Sequence, residues 1–500
     1  MEIKDKALAL LREDRNEDLK ALIEYSKMTT ETELIYLLML IHLNRISHVD
    51  TNKGQSISKF FIEEFKCPLE DTLIYLVSLC VKYGKKCFRA PRFLPLNYIS
   101  AMIERCNQIH SKYYHEIFVH LYKVLDCTET RITIENTLKE EALGNEFLKY
   151  VLRVSEDNKV RGTAVNIDAL EAIIYREFRC FDNLLQKAFN INVRLYIELI
   201  RNIANSFGER VFANKNILTG KVDITDPVVF DKYWRCFIFS YEELYNYGGK
   251  SDELLRRLLF DADDFKEEEL KYHYIVRKPI IKLSNDYFII SPQVLINSVY
   301  WNIHFWLLEE KSVSEEYKAQ QSDRFLDRIR DIAKYANYYE VTRNKYIKDK
   351  NKDLGDIDLI LKNEQGQFLI VEGKNERLPL DVYFGSYQDI LARFQQTKSW
   401  EDKVIKRNNY LKDHCHDFNI SSNFKYVIIS NYPEVLSHFS SYLVLSLCEF
   451  EQWVTWGLPE MSFQDFYSYV YRKVEIKNDE VDINKINDFG YTIFKAQDAK

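Results

Sequence analysis

Two short segments in the C-terminal half of the chain carry acidic side chains in a pattern that few folds accommodate. Residues 355–360 and 368–374 each alternate in period two and are rich in β-branched or aromatic side chains, which predicts two strands. Residues 363–366 read Asn-Glu-Gln-Gly, which is typical of a tight connection. The sequence therefore predicts one β-hairpin.

The register of this hairpin opposes two carboxylates. If the loop is centred on Gln365, Asp358 lies opposite Glu372 and Asp356 lies opposite Lys374, all on one face of the sheet. Directly opposed side chains are about 5 Å apart at Cβ, and like charges at that separation destabilise a sheet. A divalent cation held by carboxylate oxygens, with a lysine one pleat further along, would explain the pair.

The chain as a whole has the composition of a large globular protein. It has 500 residues, of which 46% are hydrophobic, and this excludes a disordered chain or a disulfide-stapled mini-protein. The formal charge of -7 provides no overall basic field. Any contact with nucleic acid must therefore come from local basic patches.

The cysteines and the N-terminus bear on the cellular compartment. The nine cysteines are odd in number and scattered, without Cys-x-x-Cys spacing, so neither a disulfide framework nor a zinc ribbon is indicated. The first residues lack the pattern of a signal peptide, and the longest apolar run, residues 34–41, is less than half the ~20 residues of a membrane helix. We therefore expect a soluble cytoplasmic protein that does not contact a membrane.

The distribution of elements predicts an α+β protein of more than one domain. Residues 1–265 have few glycines or prolines and many apolar residues at helical spacing, which predicts a mostly α-helical region of one or two subdomains. Residues 266–311 predict a bridging element of short strands, which begin near residue 274, and a helix. Residues 312–500 predict a helix, three strands, a helix and two further strands, which favours an α/β domain with a mixed central sheet.

The C-terminal pattern resembles the PD-(D/E)XK nuclease superfamily, which has the restriction-endonuclease-like fold. The resemblance covers residues 312–455. It is carried by Gly-Asp-Ile-Asp-Leu-Ile at residues 355–360 and Glu-Gly-Lys at residues 372–374, with Asp358 as the lone acid. It is especially similar to resolvase-like and modification-dependent members, in which an acidic-x-Asp strand precedes a strand that ends in Glu-x-Lys. The proline of the nominal motif is absent here.

The resemblance implies a chemistry and a site. It implies a nuclease that uses Mg²⁺, for which Mn²⁺ would substitute. DNA is the favoured substrate and endonuclease action the favoured mode, and the sequence leaves RNA and exonuclease action open. Asp358, Glu372 and the carbonyl of Gly373 would be the metal ligands, and carboxylates suit Mg²⁺. The catalytic set would be Asp358, Glu372 and Lys374, with the lysine orienting water or stabilising charge on the phosphate. Gly373, which has no side chain, would let the substrate backbone approach closely.

Two further acids are accessory candidates. Asp327 matches an acid that superfamily members often add from the preceding helix. However, Asp323, Asp327 and Asp331 recur every four residues, which is also the pattern of a solvated helix face. Asp356 would either assist the metal or pair with Lys374, and the sequence leaves both alternatives open.

The helix after the second strand carries the remaining candidates. Superfamily members often place polar side chains there that face the site, and Gln388 is the candidate for this role, with an inert exposed side chain as the alternative. The same helix contains a basic segment with Lys403, Lys406 and Arg407. Phosphate contacts require such charges near the scissile bond, so we expect these three to bind nucleic acid. A lysine-rich surface without a ligand is the alternative.

Three functions remain open at this level. The first is a nuclease controlled by the helical region, which would bind a protein partner or a second copy of the chain, as in effectors of bacterial restriction and phage defence. The second is a non-catalytic scaffold that binds nucleic acid or protein. The third is a principal function in the helical region, with the C-terminal domain supporting assembly. The opposed carboxylates favour the first, because a non-catalytic domain has no physical need for them.

Overall fold

The computed structural model shows a mostly helical N-terminal half followed by a domain built on a five-stranded sheet. It describes residues 2–47, 69–88, 96–129, 131–138, 146–147, 149–151, 153–154, 167–214, 227–264, 274–284, 286–349, 352–376, 378, 382, 386–456, 461–470 and 492–495. The expected boundary at residue 265 and much of the stretch after residue 470 lie outside these residues. The protein is therefore of mixed α and β structure, as expected.

The N-terminal half is helical because its apolar residues recur at helical spacing. Leu34, Leu37, Leu38 and Ile41 are at most 4% exposed and lie in one core. The helices, numbered in chain order, are α1 (Ile3–Met28), α2 (Glu31–Ser47), α3 (Leu69–Tyr83), α4 (Leu96–Leu121), α5 (Ile167–Phe178), α6 (Asp182–Phe189), α7 (Val193–Ala213), α8 (Pro227–Tyr233), α9 (Tyr241–Tyr247) and α10 (Asp252–Leu258).

A small sheet also belongs to this half. Strand β1 (Tyr122–Cys127) follows α4 directly and pairs antiparallel with β2 (Arg131–Leu138). A strand from the far C-terminus, β12 (Thr492–Lys495), pairs parallel with β2. The chain therefore returns to the N-terminal half after it has completed the C-terminal domain.

The segment expected to bridge the two halves is an integral part of the helical half. Its elements are α11 (Tyr274–Arg277), β5 (Ile280–Lys282), β6 (Tyr287–Ile290) and α12 (Pro292–Glu309). Residues 274–276, expected as a strand, are therefore helical. The hairpin of β5 and β6 is present, and it completes a four-stranded sheet of order β3-β6-β5-β4 with β3 (Ile238–Ser240) and β4 (Leu259–Phe260). Phe288 and Leu295 share a core with Leu184 and Leu254, so burial joins this segment to the preceding helices.

The C-terminal domain follows the predicted order of elements. They are α13 (Ser314–Ala333), β7 (Tyr338–Asp349), β8 (Lys352–Asn363), β9 (Phe368–Lys374), α14 (Tyr387–Asp413), β10 (Phe424–Ser430), β11 (Leu443–Ser446), α15 (Leu447–Thr455) and α16 (Phe463–Val470). The sheet order is β11-β10-β9-β8-β7. Strands β7, β8 and β9 are antiparallel neighbours, whereas β10 and β11 run parallel to β9, so the sheet is mixed.

Helices cover both faces of this sheet. On one face, α13 packs Phe325 and Leu326 against Leu359 and Val371, and α15 extends the same layer. On the other face, α14 packs a separate apolar layer against Ile360 and Ile370. Because β-strand side chains alternate between faces, residues of even number near these two isoleucines point toward α14.

The two halves of the protein share a core. Ala7 and Leu8 of α1 and Phe147 lie in one apolar cluster with Ile390 of α14 and Val435. The C-terminal domain therefore packs directly on the helical half.

Within the described part of the chain, no helix is both long and apolar enough to cross a membrane.

A buried ion cluster reinforces this contact. The Arg153 side chain, from the helical half, places Nε 2.6 Å from Oε1 of Glu449 and donates from Nη2 to Oε2 at 3.0 Å. It also donates from Nη1 to the hydroxyl of Ser437 at 2.8 Å. Beside it, Nδ1 of His438 lies 2.9 Å from Oε2 of Glu146. Each acid in this cluster thus faces a basic side chain.

Candidate active site

The hairpin of β8 and β9 has the predicted register. Leu359 pairs with Val371 and Ile360 pairs with Ile370, as a loop centred on Gln365 requires. Asn363 closes the turn: its carbonyl accepts from the amide of Gly366 at 3.0 Å, and its side-chain oxygen accepts from the amide of Gln367 at 2.8 Å. The turn chemistry and the apolar alternation therefore agree on one register.

This register brings the two carboxylates together at the end of the ladder. Glu372 is 2% exposed, and Asp358 is half-buried. Oδ2 of Asp358 accepts a hydrogen bond from the amide of Gly373 at 2.6 Å. Burial, and then the negative charge of Glu372, raise the pKa of Asp358 to about 7. The predicted pair of carboxylates is therefore present, and the ionised form of Asp358 is disfavoured by burial and by the neighbouring Glu372.

Lys374 completes the expected set. Its ammonium lies 2.6 Å from Oε1 of Glu372 and 5.9 Å from the centroid of the Trp400 ring, which is within the range of a cation–π contact. Asp356 therefore does not have Lys374 to itself, because the ammonium lies on Glu372. Asp356 is exposed and faces Tyr346 of β7, since the β8–β9 pairing ends before it.

Arg407 lies inside the domain and not on its surface, which corrects its expected role as an exposed phosphate contact. It is 6% exposed, and its Nη1 donates to Oε2 of Glu372. The sequence contains a signal for this burial that the basic segment obscures. Trp400, Val404, Arg407 and Leu411 recur at helical spacing and are all buried, so the arginine occupies a core position of α14.

A glycine makes room for this arginine. Nε of Arg407 donates to the carbonyl of Leu354 at 2.8 Å, so the guanidinium crosses the start of β8. A Cβ added at Gly355 would lie 2.6 Å from Nη2 of Arg407, and Gly355 has φ +81°, a conformation that L side chains rarely adopt. The positive φ therefore favours glycine at residue 355, and the absence of a side chain there leaves the space that Nη2 of Arg407 occupies.

The absence of a side chain at Gly373 is explained by packing against a helix and not by the expected approach of substrate. A Cβ at this position would lie 2.9 Å from Cδ2 of Leu326 and 3.5 Å from the ring of Phe325. These side chains belong to α13, which packs on the face of the sheet away from α14. The missing side chain therefore admits a helix, and close approach of substrate is not needed to explain it.

Asp327 does not join the carboxylates. Its Oδ1 lies 2.9 Å from Nη2 of Arg343 and 2.8 Å from Nη1 of Arg330. Because α13 covers the opposite face of the sheet, Asp327 cannot reach Glu372. Asp327 is instead part of a half-exposed ion-pair network on α13. This agrees with the alternative that the acids spaced four residues apart form a solvated helix face.

The other candidates on α14 divide by position. Gln388 is exposed in the first turn, and the residue of this helix that lies beside Lys374 is Trp400, about 18 Å further along the helix axis. Gln388 therefore does not reach the carboxylates. Lys403 and Lys406 are exposed, as a role in phosphate binding requires.

A cavity of about 290 Å³ opens beside the end of β9. It is lined by Lys318, Gln321 and Ser322 of α13 and by residues 373–376. The side-chain nitrogen Nδ2 of Asn375 donates to the backbone carbonyl of Gln321 at 3.0 Å. A polar ligand that reaches Lys374 could therefore also contact α13.

The donor set at this site suits a small hard cation. Among the described residues, no group of three or more His, Cys, Asp or Glu side chains is arranged to hold a metal. Mg²⁺ does not require one, because it commonly uses one or two carboxylates and keeps several waters. Asp358 and Glu372 meet that requirement, and the Gly373 carbonyl is adjacent in sequence.

Comparison of the chain with protein-family models, with curated proteins and with solved structures gave no significant match. The candidate site is therefore defined by its own residues alone. These are Asp358, Glu372 and Lys374, which the hairpin register predicts, and Arg407, which the sequence pattern assigned to nucleic-acid binding and not to contact with Glu372.

Proposed function

We propose that the C-terminal domain is a metal-dependent nuclease of the restriction-endonuclease-like type that hydrolyses phosphodiester bonds in DNA. The observation that carries the proposal is the pair of opposed carboxylates, with a lysine bound to one of them. The order of helix, three antiparallel strands, helix and two parallel strands supports it, because it matches the order of elements that the resemblance implies.

Each site residue has a distinct role in this proposal. Asp358 and Glu372 would hold one Mg²⁺, with the Gly373 carbonyl as a third ligand. The bound ion would supply Lewis-acid activation of water and neutralise charge at the phosphate. The ammonium of Lys374 would donate hydrogen bonds to the phosphate oxygens as negative charge develops on them.

The surface of α14 supports nucleic acid as the substrate. Lys403 and Lys406 are exposed on the helix that also carries Arg407, so they can neutralise phosphates that flank the reacting one. The helical half would control or target the domain, as in restriction and phage-defence effectors. Its direct packing against the C-terminal domain through Arg153 provides a physical link for such control.

One observation favours a non-catalytic binding scaffold as the second candidate. Both oxygens of Glu372 already have basic partners, Lys374 and Arg407. A carboxylate paired in this way can be part of a structural ion cluster. Such a domain would bind nucleic acid or protein without cutting it.

The test is a cleavage assay with the purified full-length protein. Plasmid DNA, linear DNA and RNA are each incubated with Mg²⁺, with Mn²⁺ and with EDTA. We expect cleavage of DNA that requires the metal and that is lost in Asp358→Asn. Binding of nucleic acid without cleavage under every metal condition would contradict the proposal and favour the scaffold.

A further inference from the structure

We propose that Arg407 is a resident counter-ion of the carboxylate pair, which keeps the affinity of the free protein for divalent metal low. This inference rests on the proposed function, and it concerns the regulation of the same site. It assigns to Arg407 a positioning and charge-balancing role, because the side chain acts through Glu372.

The first argument is the occupancy of the ligand atoms. Oε2 of Glu372 accepts from Nη1 of Arg407, and Oε1 of Glu372 lies 2.6 Å from Nζ of Lys374. Oδ2 of Asp358 accepts from the amide of Gly373 at 2.6 Å. An incoming cation therefore meets carboxylate oxygens that already have positively charged or polarised partners.

The second argument is the charge of the cluster. Asp358 and Glu372 contribute two negative charges when ionised, and Lys374 and Arg407 contribute two positive ones. Glu372 and Arg407 are almost entirely buried, where unbalanced charge is strongly unfavourable. Because the cluster is balanced without a metal, a divalent ion would add two uncompensated positive charges, unless negative charge arrives with it.

The third argument is that Arg407 is held in place by the fold. The Leu354 carbonyl accepts from its Nε at 2.8 Å, and Gly355 leaves the space that its Nη2 occupies. Lys374, by contrast, ends a strand and its side chain is 18% exposed, against 7% for Arg407. Lys374 can turn toward a ligand, whereas Arg407 stays on Glu372 and opposes the metal electrostatically.

A substrate would remove this opposition. Each phosphate of a nucleic acid strand brings one negative charge to the site. The metal and the phosphate together then balance the cluster better than the metal alone. Arg407 would in this way couple metal binding to the presence of the substrate and limit metal occupancy of the free protein.

The decisive variant is Arg407→Gln, compared with Arg328→Gln. Arg328 is an exposed residue of α13, so its substitution removes the same charge away from the carboxylates. Binding of Mn²⁺ alone to each full-length protein is measured by calorimetry, without nucleic acid. We expect Arg407→Gln to bind Mn²⁺ at least about tenfold more tightly than wild type, because one adjacent positive charge is gone. Arg328→Gln should match wild type.

The folding of the variant is measured by thermal unfolding with and without Mn²⁺. We expect apo Arg407→Gln to melt below wild type and to gain more from Mn²⁺ than wild type does. If this variant does not fold, Arg407→Met is decisive: it keeps an apolar stem of similar length in the core and removes the charge, so its Mn²⁺ affinity should also exceed that of wild type. Equal or weaker Mn²⁺ binding in the folded variant would overturn the inference.

The outcomes separate this inference from the proposed function. Tighter Mn²⁺ binding by Arg407→Gln, with no cleavage by any protein, would uphold the counter-ion and contradict the nuclease. Cleavage by wild type, with unchanged Mn²⁺ affinity in Arg407→Gln, would uphold the nuclease and contradict the counter-ion. No gain in Mn²⁺ affinity in Arg407→Gln, together with no metal-dependent cleavage by wild type, would contradict both.

Discussion

Two of the buried charge clusters differ in how their charges are arranged. In the cluster between the two halves, Arg153 lies against Glu449 and His438 lies against Glu146, so every acid faces a base. At the end of the central sheet, Asp358 and Glu372 face each other. Opposite charges in a core can be explained by packing alone. Opposed like charges repel unless cations lie beside them, as Lys374 and Arg407 do at Glu372.

The two clusters also respond to pH in opposite directions. Burial lowers the pKa of His438 to about 4, so between pH 4 and about 6.5 the unfolded chain binds more protons than the folded one, and acidification destabilises this cluster. Burial and Glu372 raise the pKa of Asp358 to about 7, so between about pH 4 and 7 the folded chain binds more protons. Stability from Asp358 is therefore lost as the pH rises through that range.

The largest effect is expected where the structural cluster is broken. Arg153→Ala should destabilise the protein by roughly 3–5 kcal/mol, because Glu449 is left buried without its partner. The free energy of unfolding is measured by urea denaturation. The control is Arg256→Ala, which removes a surface pair with Glu253 and should cost less than about 1 kcal/mol. Similar losses in both variants would remove the distinction between a buried and an exposed pair.

The next effect concerns Lys374, which lies beside the carboxylate pair. Lys374→Ala should reduce metal-dependent cleavage by about 10²–10³-fold, because it removes a charge that stabilises the transition state. Its melting temperature should fall less than that of Arg153→Ala, because Glu372 keeps Arg407 as a partner and the Lys374 side chain fills no core volume. Lys362→Ala, at the other end of the same hairpin, is the control for activity. Full cleavage by Lys374→Ala would show that the lysine is not catalytic.

A smaller effect tests whether the carboxylates repel. In EDTA, Asp358→Asn should melt at or above the wild-type temperature, and its advantage should be greater at pH 8 than at pH 5, because the repulsion grows as Asp358 ionises. The variant should also lose the stabilisation that Mn²⁺ gives wild type. Clear destabilisation of apo Asp358→Asn at pH 8, with no gain from metal in wild type, would show that Asp358 has a structural role, like the ion pairs around Arg153.

The smallest effect concerns the exposed side of α14. Lys403→Ala combined with Lys406→Ala should weaken DNA binding and flatten its salt dependence, with a slope change of about 0.9 per lost phosphate contact on duplex DNA. Arg407 is omitted from this variant because it is buried. Metal affinity should stay at the wild-type value. An unchanged salt slope would place the path of the nucleic acid on another surface.

Much of the C-terminal domain was predictable because local signals agreed with one another. The turn at Asn363, the alternation along both strands and the buried run in β10 all specify the same sheet. The segment near residue 274 was less predictable. Its apolar residues suit a strand or a short helix equally, and packing within the helical half selects the helix.

The sequence alone determined the hairpin register, and with it the opposition of Asp358 and Glu372, because strand periodicity and turn geometry are local properties. Only the tertiary structure decided which other side chains meet them. Arg407 reaches Glu372 from a separate helix across a space left by Gly355, and Asp327 is kept away because its helix packs on the opposite face. Contacts between elements depend on how whole layers pack, and no spacing along the chain encodes that.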